Sequence, residues 1–222
     1  MVVISRRNFI LGCLAGGVGG YIPAALADPS NPPHEEPSYF GSTELRSEKL
    51  SLFPKWRDVL SRFVKERMKV KGCTGDCDYA TWQAFLKTVK DLDPMTQLDR
   101  VNREMNKKPY IIDPINWGVP DYWATPFEFF LKSGDCEDYA IIKYISLRSL
   151  GWAADTMRLV VLEDQNLEIM HAVLVVFYQD VTYVLDNQIR SVIPADRIRH
   201  YRPVYSINEK AWWKHKFPNR NS

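Results

Sequence analysis

Residues 133–151 read SGDCEDYAIIKYISLRSLG, and this stretch decides the fold. Ser133-Gly134-Asp135 interrupts the chain, and the apolar-rich residues that follow predict a long helix from Cys136 to Leu150. Gly151 supplies the stop signal at its C-terminal end. A cysteine therefore opens the helix, where backbone N–H groups have no partner within the helix and favour negative charge.

Helices are predicted before this segment and strands after it. Apolar residues recur at spacings of three and four over 52–72, 82–89 and 95–105, which indicates three amphipathic helices. Segments rich in Val, Leu, Tyr and Phe at 158–162, 170–178 and 181–185 predict strands. Helices first, one central helix and then an antiparallel sheet make an α+β fold.

Less regular segments connect these elements. Residues 110–125 hold aromatics and prolines without clean alternation, and we interpret them as a structured loop across a core or a cleft. Residues 126–131 read as a short helical turn. The 190s and 200s read as irregular strand and short helix, ending at the pair Trp212-Trp213.

The N-terminus reads as an export signal over residues 1–27. Arg6-Arg7 precedes a glycine-rich apolar stretch and then Ala25-Leu26-Ala27, a pattern closer to a twin-arginine signal than to a general secretory one. An uncleaved anchor is the weaker reading, because glycines interrupt a stretch already short for a bilayer. A lipid-modified Cys13 is weaker still. Proline-rich residues 28–44 read as a flexible leader, and 45–222 as one folded domain.

Charge excludes a nucleic-acid-binding footprint. The chain has 29 basic and 27 acidic residues, and loss of Arg6 and Arg7 leaves the two counts equal. No membrane span is predicted in the mature chain.

Three cysteines remain once Cys13 is removed with the signal: Cys73, Cys77 and Cys136. An odd count leaves at least one thiol unpaired. Cys73 and Cys77 are predicted to form a disulfide or to remain two thiols, in preference to a metal site, because no histidine lies nearby. Cys136 is then the free thiol.

A histidine and an aspartate on the predicted strands complete a reactive set. If residues 179–180 form a two-residue turn, the register places Asp186 opposite Val173, which shares a sheet face with His171. The carboxylate can then orient the imidazole, and the imidazole can take a thiol proton. We therefore predict Cys136 as nucleophile, His171 as general base and Asp186 as orienting residue.

Acidic residues flank the predicted nucleophile. Asp135, Glu137 and Asp138 would raise the pKa of the Cys136 thiol unless their charge is neutralised. The alternative is that Glu137 and Asp138 suit a helix N-terminus and point into solvent. For the oxyanion, the Cys136 backbone N–H is the first predicted donor, and the second is left open among Trp117, Asn116 and Asn187.

Several runs together carry a family resemblance. They are LDRVN at 98–102, YWATP at 122–126, GDCEDYA at 134–140, HAVL at 171–174, LDN at 185–187 and YRP at 201–203. In this order, over roughly residues 55–215, the chain resembles the bacterial transglutaminase-like cysteine peptidases of the periplasmic LapG type. The resemblance implies a papain/transglutaminase-like fold with an N-terminal helical lobe, and matches Cys136, His171 and Asp186 to the catalytic triad.

The resemblance also implies a biological role. Members of this family act in the periplasm, cut a very large repeat adhesin near its N-terminal end at paired alanines, and so disperse biofilm. An inner-membrane receptor that senses cyclic di-GMP holds them in check.

Calcium dependence is implied as well, through the acidic residues Asp135, Glu137 and Asp138. Calcium takes six to eight oxygen ligands, so Asp113, Asn116, Asp121 or backbone carbonyls would have to complete the site.

Two other function classes stay open at this point. A protein-crosslinking transglutaminase uses the same thioester chemistry with a different acceptor. A catalytically silent module that only binds a receptor is the third reading, against which Cys136 argues.

Overall fold

The computed structural model describes residues 39–69 and 78–217. The predicted export signal, most of the predicted leader and the Cys73–Cys77 pair lie outside the described residues. Within these ranges, none of the helices combines the length and the apolar character needed to cross a bilayer.

Six helices form, as far as the chain is described. They are α1 Pro54–Lys69, α2 Asp78–Val89, α3 Pro94–Met105, α4 Asp113–Asn116, α5 Pro126–Lys132 and α6 Cys136–Ser149. Proline opens α3, α4 and α5, where a missing N–H removes no helical bond. Asp93 accepts a bond from Thr96 N at 3.0 Å, and Thr125 and Glu128 form a capping box at α5. The predicted helical front half is thus confirmed.

Seven strands form one antiparallel sheet. They are β1 Thr43–Ser47, β2 Met157–Asp164, β3 Ile169–Tyr178, β4 Val181–Leu185, β5 Ile193–Pro194, β6 Tyr201–Ile207 and β7 Trp212–Lys216. Their order across the sheet is β1-β7-β6-β2-β3-β4-β5. Helices packed on an antiparallel sheet confirm the α+β class.

Strand β1 begins inside the region predicted as a flexible leader. Thr43 pairs with Lys216 of β7, so the first strand lies beside the last. Glu44 lies 2.6 Å from Arg158, whose guanidinium stacks 3.5 Å over the Trp213 ring. Ser42 Oγ lies 2.8 Å from His215 Nδ1. Residues 39–44 therefore belong to the packed chain, because buried polar contacts hold them there.

Helix α6 is the centre of the core. It packs against β3, β2 and α3, and most of its side chains are buried on every side, as expected for a helix enclosed by other elements. The sheet face towards α6 carries Leu159, Leu174, Val176, Leu185 and Ile207. The opposite face carries Val160, Leu162, Val173, Val175 and Val184, covered by residues near Tyr39 and Ile198. Alternation along the strands separates the two clusters.

Candidate active site

The turn between β3 and β4 sets the register that joins a histidine to an aspartate. Gln179 and Asp180 both have positive φ, 49° and 60°, as a two-residue hairpin turn of the I′ type requires. Tyr178 pairs with Val181, and the ladder continues to Leu174 opposite Leu185. Asp186 follows directly, on the sheet face predicted from the sequence.

His171 and Asp186 form a buried pair. The distance between His171 Nε2 and Asp186 Oδ1 is 3.0 Å, and both side chains are almost fully enclosed. An ionised carboxylate only accepts hydrogen bonds, so Nε2 carries the proton in this pair. The other ring nitrogen, Nδ1, is then the atom that can accept a proton.

Three donors hold the Asp186 carboxylate. His171 Nε2 and the Gln188 N–H donate to Oδ1, and the Tyr201 hydroxyl donates to Oδ2 at 2.5 Å. Burial alone would raise the pKa of Asp186, but the hydrogen bonds and charge of His171, with the Tyr201 hydroxyl, outweigh burial and lower it. The carboxylate therefore stays ionised and fixes the imidazole orientation.

Helix α3 anchors the loop that carries Asp186. Asn106 Nδ2 donates to the Asp186 carbonyl at 2.8 Å, and Asn102 Nδ2 donates to the carbonyls of Ile189 and Arg190, each at 3.1 Å. Asn102 is fully buried. Sequence reasoning missed both asparagines. An asparagine beside the apolar stripe of α3 was the available signal.

Replacement of Tyr201 by phenylalanine is expected to weaken the triad without dismantling the fold. The change removes one of three donors to a buried carboxylate, and a hydrogen bond to a charged group contributes about 1.5–3 kcal/mol to stability. We expect cleavage, measured as kcat/KM, to fall on the order of tenfold, with a lower urea midpoint.

Tyr205→Phe, on the same strand, is the matched control because Tyr205 does not donate to Asp186. Equal losses in the two variants would show that the Tyr201 hydroxyl has no particular role.

Cys136 opens α6 and meets β3. Its sulfur accepts a hydrogen bond from the backbone N–H of Ala172, the residue that follows His171. The thiol is partly buried and forms no disulfide. The helix start thus brings the sulfur to the strand that carries the histidine.

Acidic neighbours dominate the surroundings of this thiol. Burial raises the pKa of Cys136 most, and the nearby Glu137 and Asp135 raise it further, while the Ala172 N–H lowers it. The thiol donates to Glu137 Oε2 over 3.2 Å. With these carboxylates uncompensated, the helix N-terminus is not enough to stabilise a thiolate.

The carboxylates themselves form a cluster. Asp113, Asp135 and Asp138 each offer an oxygen within 4.8 Å of the others, and so do Asp113, Asp121 and Glu137. Asp113 Oδ1 and Asp135 Oδ1 are buried and have no hydrogen-bond partner among the described residues. Closely spaced oxygens with unsatisfied lone pairs fit a hard divalent cation.

Mutual repulsion shows in the pKa values of the cluster. Burial, together with the charges of Asp135 and Asp121, raises the pKa of Asp113 to about 6, although the Tyr122 N–H opposes the shift. Burial and Asp135 raise the pKa of Glu137 to about 9. Burial likewise raises the pKa of Asp138 well above its usual value. Without a cation, this cluster holds protons near neutral pH.

The fifth residue predicted as a ligand, Asn116, is placed differently. It lies on α4, one turn after Asp113, and its Nδ2 donates to the Ser133 carbonyl at 3.1 Å. The amide nitrogen is therefore occupied, which also removes it as an oxyanion donor. Trp117 Nε1, by contrast, is buried and has no hydrogen-bond partner among the described residues.

Gly134 allows this cluster to assemble. A Cβ at Gly134 would overlap the Asp138 carboxylate, which packs directly on the glycine. Asp138 in turn accepts from the Asp135 N–H at 3.3 Å and from the Ala124 N–H at 2.6 Å. The sequence Gly-Asp-Cys thus places a carboxylate beside the nucleophile because glycine leaves room for it.

Two sets of exposed apolar side chains adjoin the site. Tyr110, Ile112, Ile115 and Val119 lie on the loop next to Cys136, which bridges to the chain at Gly134. Leu167, Ile169 and Met170 lie on the β2–β3 connection and the start of β3, directly before His171.

Known proteins share this sequence and architecture. The profile of the family described as "Bacterial transglutaminase-like cysteine proteinase BTLCP" matches residues 70–215. Legionella pneumophila LapG is 30% identical, with a TM-score of 0.60 over 68% of this chain and 87% of that one. Its calcium-bound structure matches equally, and its EGTA-treated structure covers 69% and 86% at the same identity and TM-score. No curated protein sequence matches the chain.

Proposed function

The chain belongs to the bacterial transglutaminase-like cysteine proteinases, and from this premise we propose that it is a calcium-dependent cysteine endopeptidase of the periplasm. Cys136 is its nucleophile, His171 its general base and Asp186 the residue that orients the histidine. The buried 3.0 Å contact between His171 and Asp186, next to the strand position that binds the Cys136 sulfur, carries the proposal.

The chemistry follows from these three side chains. His171 Nδ1 takes the thiol proton, and the sulfur attacks the scissile carbonyl of the substrate. His171 then gives the proton to the leaving amine, which departs and leaves a thioester on Cys136. Water, deprotonated by His171, attacks the thioester and releases the acid product. Both tetrahedral intermediates carry a negative oxygen.

The oxyanion donors come from the helix start and the neighbouring loop. The Cys136 backbone N–H lies at the N-terminus of α6, where the helix offers unpaired N–H groups. Trp117 Nε1 is our proposed second donor, because this indole N–H is buried without a partner among the described residues.

Asp113, Asp135, Glu137 and Asp138 are the proposed calcium ligands, with Asp121 or Asn116 in reserve. A bound calcium ion would neutralise the carboxylates that raise the pKa of the Cys136 thiol. Engagement of Glu137 as a ligand would also withdraw its oxygen from the thiol, which leaves the S–H free to face His171. The calcium-bound and EGTA-treated LapG structures support this assignment.

The proposed substrate is a large exported repeat adhesin, cut near its N-terminal end at a pair of alanines. The apolar side chains on both sides of the site support an extended peptide with small apolar residues at the scissile bond. An inner-membrane receptor controlled by cyclic di-GMP is the proposed inhibitor. Both assignments rest on the likeness to LapG.

Incubation of the mature protein with the largest exported repeat protein of its host tests this function. We expect a discrete N-terminal fragment in the presence of calcium and none with chelator, detected by gel and mass spectrometry. Joining of glutamine and amine substrates, with the adhesin left uncut, would instead establish a transglutaminase. Absence of both reactions and of labelling by a thiol-reactive peptide probe would establish a silent binding module.

A further inference from the structure

A lysine is enclosed in the core beneath the proposed active site. Lys143 lies on α6 seven residues, or about two turns, after Cys136, so the two side chains share a helix face. Lys143 is fully buried. Its Nζ makes no hydrogen bond with any residue that the structure describes.

The surroundings of this amine contain one opposite charge. The Tyr139 ring lies one turn back on α6, with its centroid 5.7 Å from Nζ. Burial lowers the pKa of Lys143 to about 7, and the charge of Asp186 opposes that shift. Asp186 links the amine to His171 on β3 and to Tyr201 on β6, which are the other titratable groups of this cluster.

Stability does not explain a lysine at this position. Removing an ammonium group from water without hydrogen-bond acceptors is unfavourable, and an apolar residue of similar volume would fill the same space. The fold retains the charge against this penalty. Its position between the helix of the nucleophile and the orienting aspartate indicates a role in the reaction.

We propose that Lys143 is a positioning residue of the triad: its ammonium group faces Asp186, holds that carboxylate ionised and restrains the basicity of His171. This inference rests on the proposed peptidase function. A nearby positive charge favours the carboxylate and disfavours the imidazolium, so removal of the charge makes both groups easier to protonate. The acid side of the pH profile is where Lys143 carries its charge.

Lys143→Met tests the proposal in the full mature protein with calcium. We expect the NMR titration of His171 and the acid limb of kcat/KM to move to higher pH by roughly one unit. Cleavage near pH 6 should fall on the order of tenfold as a consequence. Thermal unfolding should occur at the same or a higher temperature, because a buried charge has been removed.

Ile142→Met is the matched control, since Ile142 is also fully buried on α6 but carries no charge. We expect its titration and pH profile to match the wild type. An unchanged His171 titration in Lys143→Met would overturn the proposal. Lys143→Leu supplies a second reading if the methionine variant does not fold. The NMR titration decides the role of Lys143 even if the wild type cleaves nothing, so the two failures remain distinguishable.

Discussion

Replacement of Cys136 by alanine is expected to abolish peptide cleavage and to leave the fold intact. The sulfur is the only atom in the proposed mechanism that bonds to the substrate, so its loss removes the covalent step. Losses of a nucleophile or its base in comparable triads are on the order of 10⁶-fold in kcat. The helix start does not depend on the thiol, because Asp135 and Asp138 remain to cap α6.

The measurement is cleavage of an adhesin fragment by Cys136→Ala, His171→Ala and Asp186→Asn under the same calcium concentration. We expect no cleavage from the first two and slight activity from the third, in which the imidazole loses its orienting charge. Unchanged urea midpoints and circular dichroism of Cys136→Ala establish that the fold is kept. Full cleavage by Cys136→Ala would refute the assigned nucleophile.

Removal of calcium is expected to suppress cleavage and to lower the melting temperature. A ligand bound only by the folded state stabilises it by about 2.7 kcal/mol at one hundred times its dissociation constant. The cluster around Asp113 provides the reason, since its carboxylates repel one another when no cation is present. Thermal unfolding with calcium, with chelator and after calcium is restored measures the effect.

Asp113→Asn is the sharpest control for this prediction. Asp113 is buried away from Cys136 in sequence, and one of its oxygens has no partner. The variant should lose the stabilisation by calcium, yet unfold at a higher temperature than the wild type in chelator, because one buried charge is gone. Equal melting of the wild type with and without chelator would support carboxylates that merely cap the helix.

The calcium-free protein should also lose stability as pH rises. The pKa of Asp113 rises from 3.8 to about 6, and that of Glu137 from 4.5 to about 9, on folding. Between the unfolded and folded values the native state binds more protons, so stability is fully present below about pH 4 and falls towards pH 9. Unfolding in chelator across this range tests the slope, which calcium should flatten.

Local patterns predicted those parts of the fold that depend on neighbouring residues. The stripes over α1 to α3 and the polar turn at 179–180 each specify structure within a short window, and the turn fixed Asp186 relative to His171. Strand β1 was missed, because its partner β7 is 173 residues away and 39–44 carry no apolar alternation. Pairing at that separation leaves no local signal.

The site divides in the same manner. Cys136, His171 and Asp186 could be proposed because helix start, strand alternation and resemblance agree. Lys143 and Asn102 could not, because each resembles an ordinary helical residue until the packing of α6 or α3 is known.

The pairing of β1 with β7 has a consequence for synthesis of the protein. A ribosome has almost finished the chain before the partner of Thr43–Ser47 emerges, so the sheet cannot close during translation. Until then Glu44 lacks Arg158 stacked on Trp213, and the β6 edge stays open to other strands. Messages truncated before codon 212 would therefore yield chains exposed to aggregation and proteolysis, a built-in check that only complete molecules survive.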